Sequence, residues 1–158
     1  MSLSTLLASA KAWHATTERL ADALRPHRPY TLAGIESRCF LLAAPLAIVL
    51  GTCFLVLRKQ GKLLGTTVRH TYALEHGADT IEIQQDGVTK GARVVVVDDL
   101  LATGGTMAAA VALLDKVGAT IPAVACVIEL TFLNGRKLLP VPVEALLKYD
   151  GQIWQASY

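Results

Sequence analysis

The stretch V-V-V-V-D-D-L-L-A-T-G-G-T, residues 94–106, decides the fold of this chain. Its four consecutive valines predict a strand that is buried on both faces, as strands inside parallel sheets are. Asp98 and Asp99 follow where we expect that strand to end, and small or hydroxylated residues come next. Helical spacing then runs over residues 107–117. The order of strand, acidic pair, flexible loop and helix N-terminus is typical of an anion-binding turn in an α/β fold.

The same stretch indicates the ligand. Backbone N–H groups of the loop, together with about half a positive charge at the helix N-terminus, favour a phosphate. The candidate phosphate-binding residues are Ala102, Thr103, Gly104, Gly105 and Thr106. Carboxylates repel phosphate but suit hydroxyl groups and Mg²⁺, so Asp98 and Asp99 predict vicinal hydroxyls beside the phosphate, as in a ribose 5-phosphate. An ordinary strand-to-helix turn, with the carboxylates only capping it, is the alternative.

Length and composition limit the class of protein. The chain has 158 residues, which predicts one domain over residues 1–158. Its net charge of +2, without a run of Lys or Arg, gives no support for a nucleic-acid partner. Hydrophobic residues make up 53% of the chain and the mean hydropathy is +0.43. This predicts either a buried oligomer interface or a membrane segment.

Residues 39–57 carry no charge and are long enough to raise the question of a membrane span. Pro45 and the Gly51–Thr52 turn signal divide the run, so we predict a helix over 39–50 and a strand over 53–57, with no membrane partner. A transmembrane helix is the alternative. Each cysteine lies in an apolar run, and no Cys-x-x-Cys pair occurs among Cys39, Cys53 and Cys126. The cysteines therefore predict buried, reduced thiols in a cytoplasmic protein.

Strands alternate with helices along the chain, which predicts a parallel twisted sheet flanked by helices. The predicted helices cover residues 5–24, 39–50 and 107–117, and the predicted strands cover residues 30–35, 53–57, 94–97, 123–130 and 143–149. Residues 67–85 interrupt this rhythm with two polar, alternating stretches around a turn. They predict a flexible β-hairpin that lies outside the main sheet.

Several segments then resemble one family. Residues 94–106 resemble the motif that binds phosphoribosyl pyrophosphate (PRPP) in type I phosphoribosyltransferases. The matches extend, in order and spacing, to the adenine phosphoribosyltransferases of that family, and together they cover residues 6–149. They are G-I-E-S-R (34–38), R-K-Q-G-K-L (58–63), Y-A-L-E (72–75), V-I-E-L (127–130) and G-R-K-L (135–138).

The resemblance implies a purine salvage reaction in which adenine and PRPP give AMP and pyrophosphate, with Mg²⁺ as cofactor and a homodimer in the cytoplasm. It implies that Asp98 and Asp99 hold the ribose hydroxyls, directly or through Mg²⁺, and that residues 102–106 bind the 5-phosphate. Glu75 would be the acid–base group on the purine. Pyrophosphate would be bound by Arg38, Arg58 and Lys62, and the base would lie near Ile35 and Leu130.

Three departures from the family pattern bear on the base. The family has a hood segment over the base ahead of its first helix; here that helix begins close to Met1, so we expect the hood to be absent. Cys39 replaces a glycine of the pyrophosphate loop, and His76 follows Glu75 where tyrosine is usual. Three alternatives therefore stay open: a regulatory protein that binds PRPP or a nucleotide, a catalytically impaired paralogue, and a transferase for another base.

Overall fold

The computed structural model describes residues 3–151, so the outer ends of the predicted domain, residues 1–2 and 152–158, lie outside the described residues. Helices and strands alternate along this part of the chain, interrupted by one hairpin. The helices are α1 (Leu3–Leu7), α2 (Ala10–Leu24), α3 (Phe40–Leu50) and α4 (Gly105–Lys116). The strands are β1 (Thr31–Ile35), β2 (Cys53–Lys59), β3 (Thr67–Ala73), β4 (Ala78–Gln84), β5 (Val94–Leu101), β6 (Val124–Leu130) and β7 (Val143–Tyr149).

The strands form one sheet in the order β3-β4-β2-β1-β5-β6-β7. The five strands from β2 to β7 in this order are all parallel, and β5 is the middle one of these five. β2 lies on one side of β1 and β5 lies on the other. At this switch point in the strand order, the carboxyl ends of β1 and β5 lie side by side. The predicted fold class, a parallel sheet flanked by helices, is confirmed.

The hairpin of β3 and β4 is present but belongs to the sheet edge. β4 pairs antiparallel with the end of β2, through Arg58 with Glu82 and Lys59 with Ile81. The prediction that the hairpin lies outside the main sheet is therefore wrong. The reason is that Ile81 and Ile83 are fully buried in the apolar core, so one face of β4 is anchored. Flexibility of the hairpin stays a prediction.

The central strand separates two apolar cores. Val94 and Val96 pack with the core on the α4 side, and Val95 and Val97 pack with the core formed by α2 and α3. All four valines are 0% exposed. Full burial of such a side chain contributes about 1.5–3 kcal/mol, so this strand fixes the middle of the sheet and thereby the loop that follows it.

Several predicted boundaries change; β2, for example, ends at Lys59 rather than at Leu57, and two changes are larger. The helix predicted over residues 5–24 is broken at Ser9, whose hydroxyl accepts a hydrogen bond from the Ala12 N–H at 3.2 Å and caps α2. Strand β5 continues past the valines to Leu101, because Leu100 and Leu101 remain paired with β6. Asp98 and Asp99 therefore lie within the strand rather than after it.

The uncharged run over residues 39–57 divides into α3 and β2, as predicted. Among the described residues, no helix is both long enough and apolar enough to cross a bilayer. Cys39 and Cys126 are buried, whereas Cys53 is exposed, so the prediction of a buried thiol at Cys53 is wrong. It begins β2 at the surface, after the turn at Gly51.

Candidate active site

A cleft of about 340 Å³ opens at the carboxyl ends of β1, β2 and β5. Ligands of open α/β sheets bind at this edge. The cleft is lined by the loop after β1, the end of β2 and the whole turn from β5 to α4; the lining residues are Ile35 to Cys39, Lys59 and Asp98 to Met107. The structure therefore brings together the predicted acidic pair, the predicted phosphate loop (residues 102–106), Arg38 and Ile35.

The phosphate loop leads directly into α4. Gly104 is the N-cap residue in the left-handed conformation, with φ 88°, and its carbonyl oxygen accepts a hydrogen bond from the Ala108 N–H at 2.9 Å. A glycine adopts this φ without the penalty that a Cβ would bring. The N–H groups at the start of a helix have no partner within it, so those of Gly105 and Thr106 are available to an anion in the cleft.

The acidic pair forms the centre of the cleft. Asp98 is half-buried and Asp99 is 8% exposed. Oδ1 of Asp98 accepts hydrogen bonds from the Asp99 N–H at 2.6 Å and from the Cys39 thiol at 3.0 Å. Burial, and after it the interaction with Asp99, raise the pKa of Asp98 to about 7. The cation beside the pair is Arg38, whose Nε lies 3.5 Å from Oδ2 of Asp99.

Cys39 is the N-cap residue of α3 with φ −61°. A side chain is free to adopt this backbone conformation, so the cysteine that replaces the family's glycine introduces no backbone strain here. Burial, followed by the charge of Asp98, raises the pKa of the Cys39 thiol well above its usual range. The thiol therefore stays protonated and acts as a hydrogen-bond donor to Asp98.

The basic residues beside the cleft are organised by Glu36. Its carboxylate accepts hydrogen bonds from the Lys59 N–H, from Nζ of Lys62 at 3.0 Å and from Nη2 of Arg58 at 3.3 Å. Burial raises the pKa of Glu36, but the hydrogen bonds from Lys59, Lys62 and Arg58 outweigh it and hold the pKa below its usual range. Arg58 and Lys62 are thus held next to the cleft without lining it.

Besides Arg58 and Lys62, two further predicted residues do not line the cleft. Glu75 is exposed in the turn of the hairpin, and Leu130 is buried at the end of β6. Sequence reasoning missed Glu36 and Lys59 as parts of the site. Glu36 directly follows the buried strand β1, and the rule that placed Asp98 and Asp99, a carboxylate at a strand end, would have found it as well.

Residues 4–148 match the family model of the phosphoribosyl transferase domain, and the chain therefore belongs to the phosphoribosyltransferase family. Its relatives within that family are adenine phosphoribosyltransferases. The protein of that name from Rhodospirillum centenum is 60% identical over 148 residues, which cover 94% of this chain and 86% of the relative. The predicted family is confirmed.

Solved structures agree with this placement. The adenine phosphoribosyltransferase of Thermoanaerobacter pseudethanolicus is 43% identical, with a TM-score of 0.91 over 94% of this chain and 87% of that one. The enzyme of Saccharomyces cerevisiae is 36% identical, with a TM-score of 0.84 over 90% of this chain and 83% of that one. The yeast protein was solved with adenine and an imino-altritol bisphosphate bound.

Proposed function

We propose that this chain transfers the phosphoribosyl group of PRPP to adenine and releases pyrophosphate, the activity of its adenine phosphoribosyltransferase relatives. The observation that carries the proposal is the acidic pair Asp98–Asp99 placed against a phosphate loop in one cleft. A phosphate and the hydroxyls of one sugar require this combination of donors and acceptors. The yeast relative was solved with a bisphosphate and adenine bound, which supports a site for a phosphate group and a purine.

The 5-phosphate of PRPP is bound by the loop. The N–H groups of residues 103–106 donate to its oxygens, the hydroxyls of Thr103 and Thr106 add two further donors, and the dipole of α4 favours the charge. The ribose hydroxyls donate to the carboxylates of Asp98 and Asp99. Holding the sugar at both ends aligns its C1 atom for attack, which removes much of the entropic cost of the reaction.

In the chemical step, the bond between C1 and the pyrophosphate oxygen breaks and the electron pair leaves with pyrophosphate. A bond from the purine nitrogen to C1 forms, and the nitrogen loses its proton. Positive charge develops on the ribose as in glycoside cleavage, and the negative pair Asp98–Asp99 stabilises it electrostatically. Arg38, Arg58 and Lys62 receive the leaving pyrophosphate, exchanging their contacts with Asp99 and Glu36 for the new anion.

Glu75 accepts the purine proton when the hairpin closes over the cleft. Glu75 lies in the turn between β3 and β4 and does not line the cleft, so in this proposal it approaches the base by movement of that turn. Closure would also keep water from hydrolysing PRPP. Ile35 at the end of β1 and Leu130 at the end of β6 are the apolar residues nearest to the base in this proposal.

The residues fit a bound Mg²⁺. Oxygen atoms of Asp98 and Asp99 lie within 4.8 Å of each other and of the Cys39 sulfur, and carboxylate oxygens are the ligands that Mg²⁺ prefers. The protonated thiol is a poor ligand for this ion, so Asp98 and Asp99 would hold it. A bound Mg²⁺ would offset the negative charge of the leaving pyrophosphate.

We further propose that the protein is a cytoplasmic homodimer, joined through the outer face of α3. Ile48 is 83% exposed there, and Leu41 and Val49 are also exposed. Apolar residues grouped on one face are typical of protein interfaces. Ile48→Asp should convert the dimer into a monomer in sedimentation experiments, whereas a wild-type monomer would overturn the proposal.

The activity is tested by incubating the protein with adenine, PRPP and Mg²⁺ and measuring AMP and pyrophosphate. Turnover with guanine, hypoxanthine or xanthine but not adenine would overturn the base and keep the class of reaction. Binding of PRPP without turnover of any base would indicate a regulatory or impaired protein. Absence of both binding and turnover would overturn the whole assignment.

A further inference from the structure

The segment between β6 and β7, residues 131–138, touches the phosphate loop through its backbone. It consists of two short 3₁₀ turns, Thr131–Leu133 and Gly135–Leu138, joined by Asn134 in the left-handed conformation with φ 54°. A Cβ built on Gly135 would lie 2.3 Å from the Ala102 carbonyl oxygen and 2.9 Å from the Gly104 nitrogen. Real Cβ atoms do not approach backbone atoms so closely. Residue 135 therefore has to be a glycine because the backbone of the phosphate loop lies beside it.

The contact is reciprocal. A Cβ built on Gly104 would lie 2.4 Å from the carbonyl oxygen of Gly135. Two glycines from separate loops thus meet with no room for a side chain on either. The phosphate loop consists of small residues, and this backbone contact supports it from the side of residues 131–138.

An ion pair fixes the supporting segment. Nε and Nη2 of Arg136 donate to the two carboxylate oxygens of Glu129, at 3.0 and 2.5 Å, in a bidentate arrangement. Nη1 of Arg136 donates to the Val143 carbonyl oxygen at 3.1 Å, at the start of β7. Glu129 pairs in register with Leu101, the residue just before the phosphate loop. The ion pair therefore anchors the segment beside the start of that loop.

We propose that Gly135 and Arg136 are positioning residues for PRPP: Gly135 supports the phosphate loop directly, and Arg136 holds Gly135 in place. Neither touches the substrate in this scheme. This inference rests on the proposed phosphate role of residues 102–106. Preorganised N–H donors lose most of their effect when displaced by about 1 Å, and an added Cβ at Gly135 requires a displacement of that size.

The test compares two variants with two matched controls. Gly135→Ala adds the obstructing Cβ, and Arg136→Lys keeps the charge while losing the bidentate geometry. The glycine control is Gly87→Ala, where the atom nearest to the added Cβ is the end of the flexible Leu55 side chain at 2.9 Å, followed by the Gln84 Cβ at 4.0 Å. The arginine control is Arg93→Lys, which also loses contacts to carbonyl oxygens, those of His27 and Arg28. Arg93 lies just before β5, whereas Arg136 lies after β6.

Dissociation constants for ribose 5-phosphate and for PRPP with Mg²⁺ are measured by calorimetry, with circular dichroism as the test of folding. Gly135→Ala should weaken both ligands about 100-fold and Arg136→Lys about tenfold, with the controls unchanged. In steady-state assays the KM for PRPP should rise by similar factors while the KM for adenine stays constant. A folding defect alone would not separate the two substrates.

Wild-type affinity in folded Gly135→Ala protein would overturn the proposal. Loss of the fold in both variants would also overturn it, because the segment would then serve folding rather than ligand placement. Failure of the proposed activity is distinguishable: wild type would lack turnover with adenine, whereas the comparison of ribose 5-phosphate affinities between wild type and variants does not depend on turnover.

Discussion

The carboxyl-terminal halves of β5 and β6 carry carboxylates in opposite electrostatic states. At the end of β6, Glu129 is 4% exposed and its charge is matched by two hydrogen bonds from Arg136, which hold its pKa below the usual range. Within β5, Asp98 accepts hydrogen bonds from a thiol and a backbone N–H, and burial raises its pKa to about 7. Glu129 is thus paired with a cation, whereas at the acidic pair the neighbouring Arg38 contacts Asp99 rather than Asp98.

The difference separates a structural carboxylate from one that is prepared for a ligand. A buried carboxylate without a paired cation destabilises the free protein, and hydroxyl donors or a metal ion remove that cost on binding. Glu36 belongs with Glu129, because the chain surrounds it with donors from Lys59, Lys62 and Arg58. Pyrophosphate binding would have to draw Lys62 and Arg58 away from this carboxylate.

The largest expected effect is loss of PRPP binding in the double variant Asp98→Asn/Asp99→Asn. The amides cannot supply the negative charge that the ribose hydroxyls and Mg²⁺ require, so affinity should fall about 1,000-fold or more. Calorimetry with PRPP and Mg²⁺ measures the loss, and thermal unfolding should show an intact fold. Unchanged affinity would contradict the proposed role of Asp98 and Asp99 in binding PRPP.

Glu75 is a third kind of carboxylate, exposed to solvent in the hairpin turn. If it transfers a proton only after hairpin closure, Glu75→Gln should lower kcat with adenine about 100-fold and leave the affinity for PRPP unchanged. Asp86→Asn, at an exposed position beyond the hairpin, is the control. Equal losses of kcat in both variants would contradict a specific role for Glu75.

Arg136→Ala tests the structural half of the comparison. It leaves Glu129 buried without its cation, which should lower the free energy of unfolding by about 2–4 kcal/mol. Chemical denaturation measures this value, with Arg25→Ala as control because the Arg25–Asp22 pair is exposed and should contribute at most about 1 kcal/mol. Equal losses in the two variants would show that the Glu129 pair does not depend on burial.

The sequence determined the central part of the site because local pattern and position coincide there. The run of valines could only be an internal strand, and everything attached to its carboxyl end, Asp98, Asp99 and the phosphate loop, was placed correctly in one cleft. The hairpin forms the sheet edge but was predicted to lie outside the sheet, because the polar alternation of β3 concealed the anchoring of β4 by Ile81 and Ile83.

The sequence pattern does not predict contacts between segments that are distant along the chain. The pairing of Glu36 with Lys62 and Arg58 depends on β1 and β2 ending side by side. The meeting of Gly135 with Gly104 depends on the path of a loop after β6. Neither spacing nor periodicity encodes which backbone atoms approach within 3 Å, whereas both follow once the strand order is known.

The smallest expected effect is on the pH dependence of the free energy of unfolding, which compares Glu129 with Asp98 directly. The pKa of Glu129 is lowered from 4.5, so its stabilisation is present above that pH and is lost as the pH falls through the lower folded value. The pKa of Asp98 is raised from 3.8 to about 7, so the folded protein retains a proton there that the unfolded chain releases, and stability falls as the pH rises from about 4 to 7. Each group changes the free energy of unfolding by at most about 1.4 kcal/mol per pH unit. In urea denaturation between pH 3 and 8, without ligand or Mg²⁺, Glu129→Gln should therefore reduce the acid-side slope of the free energy of unfolding, and the part due to Glu36 should remain. Asp98→Asn should reduce the slope toward neutral pH. Contributions of the same sign from the two residues would mean that the two carboxylates are in the same electrostatic state.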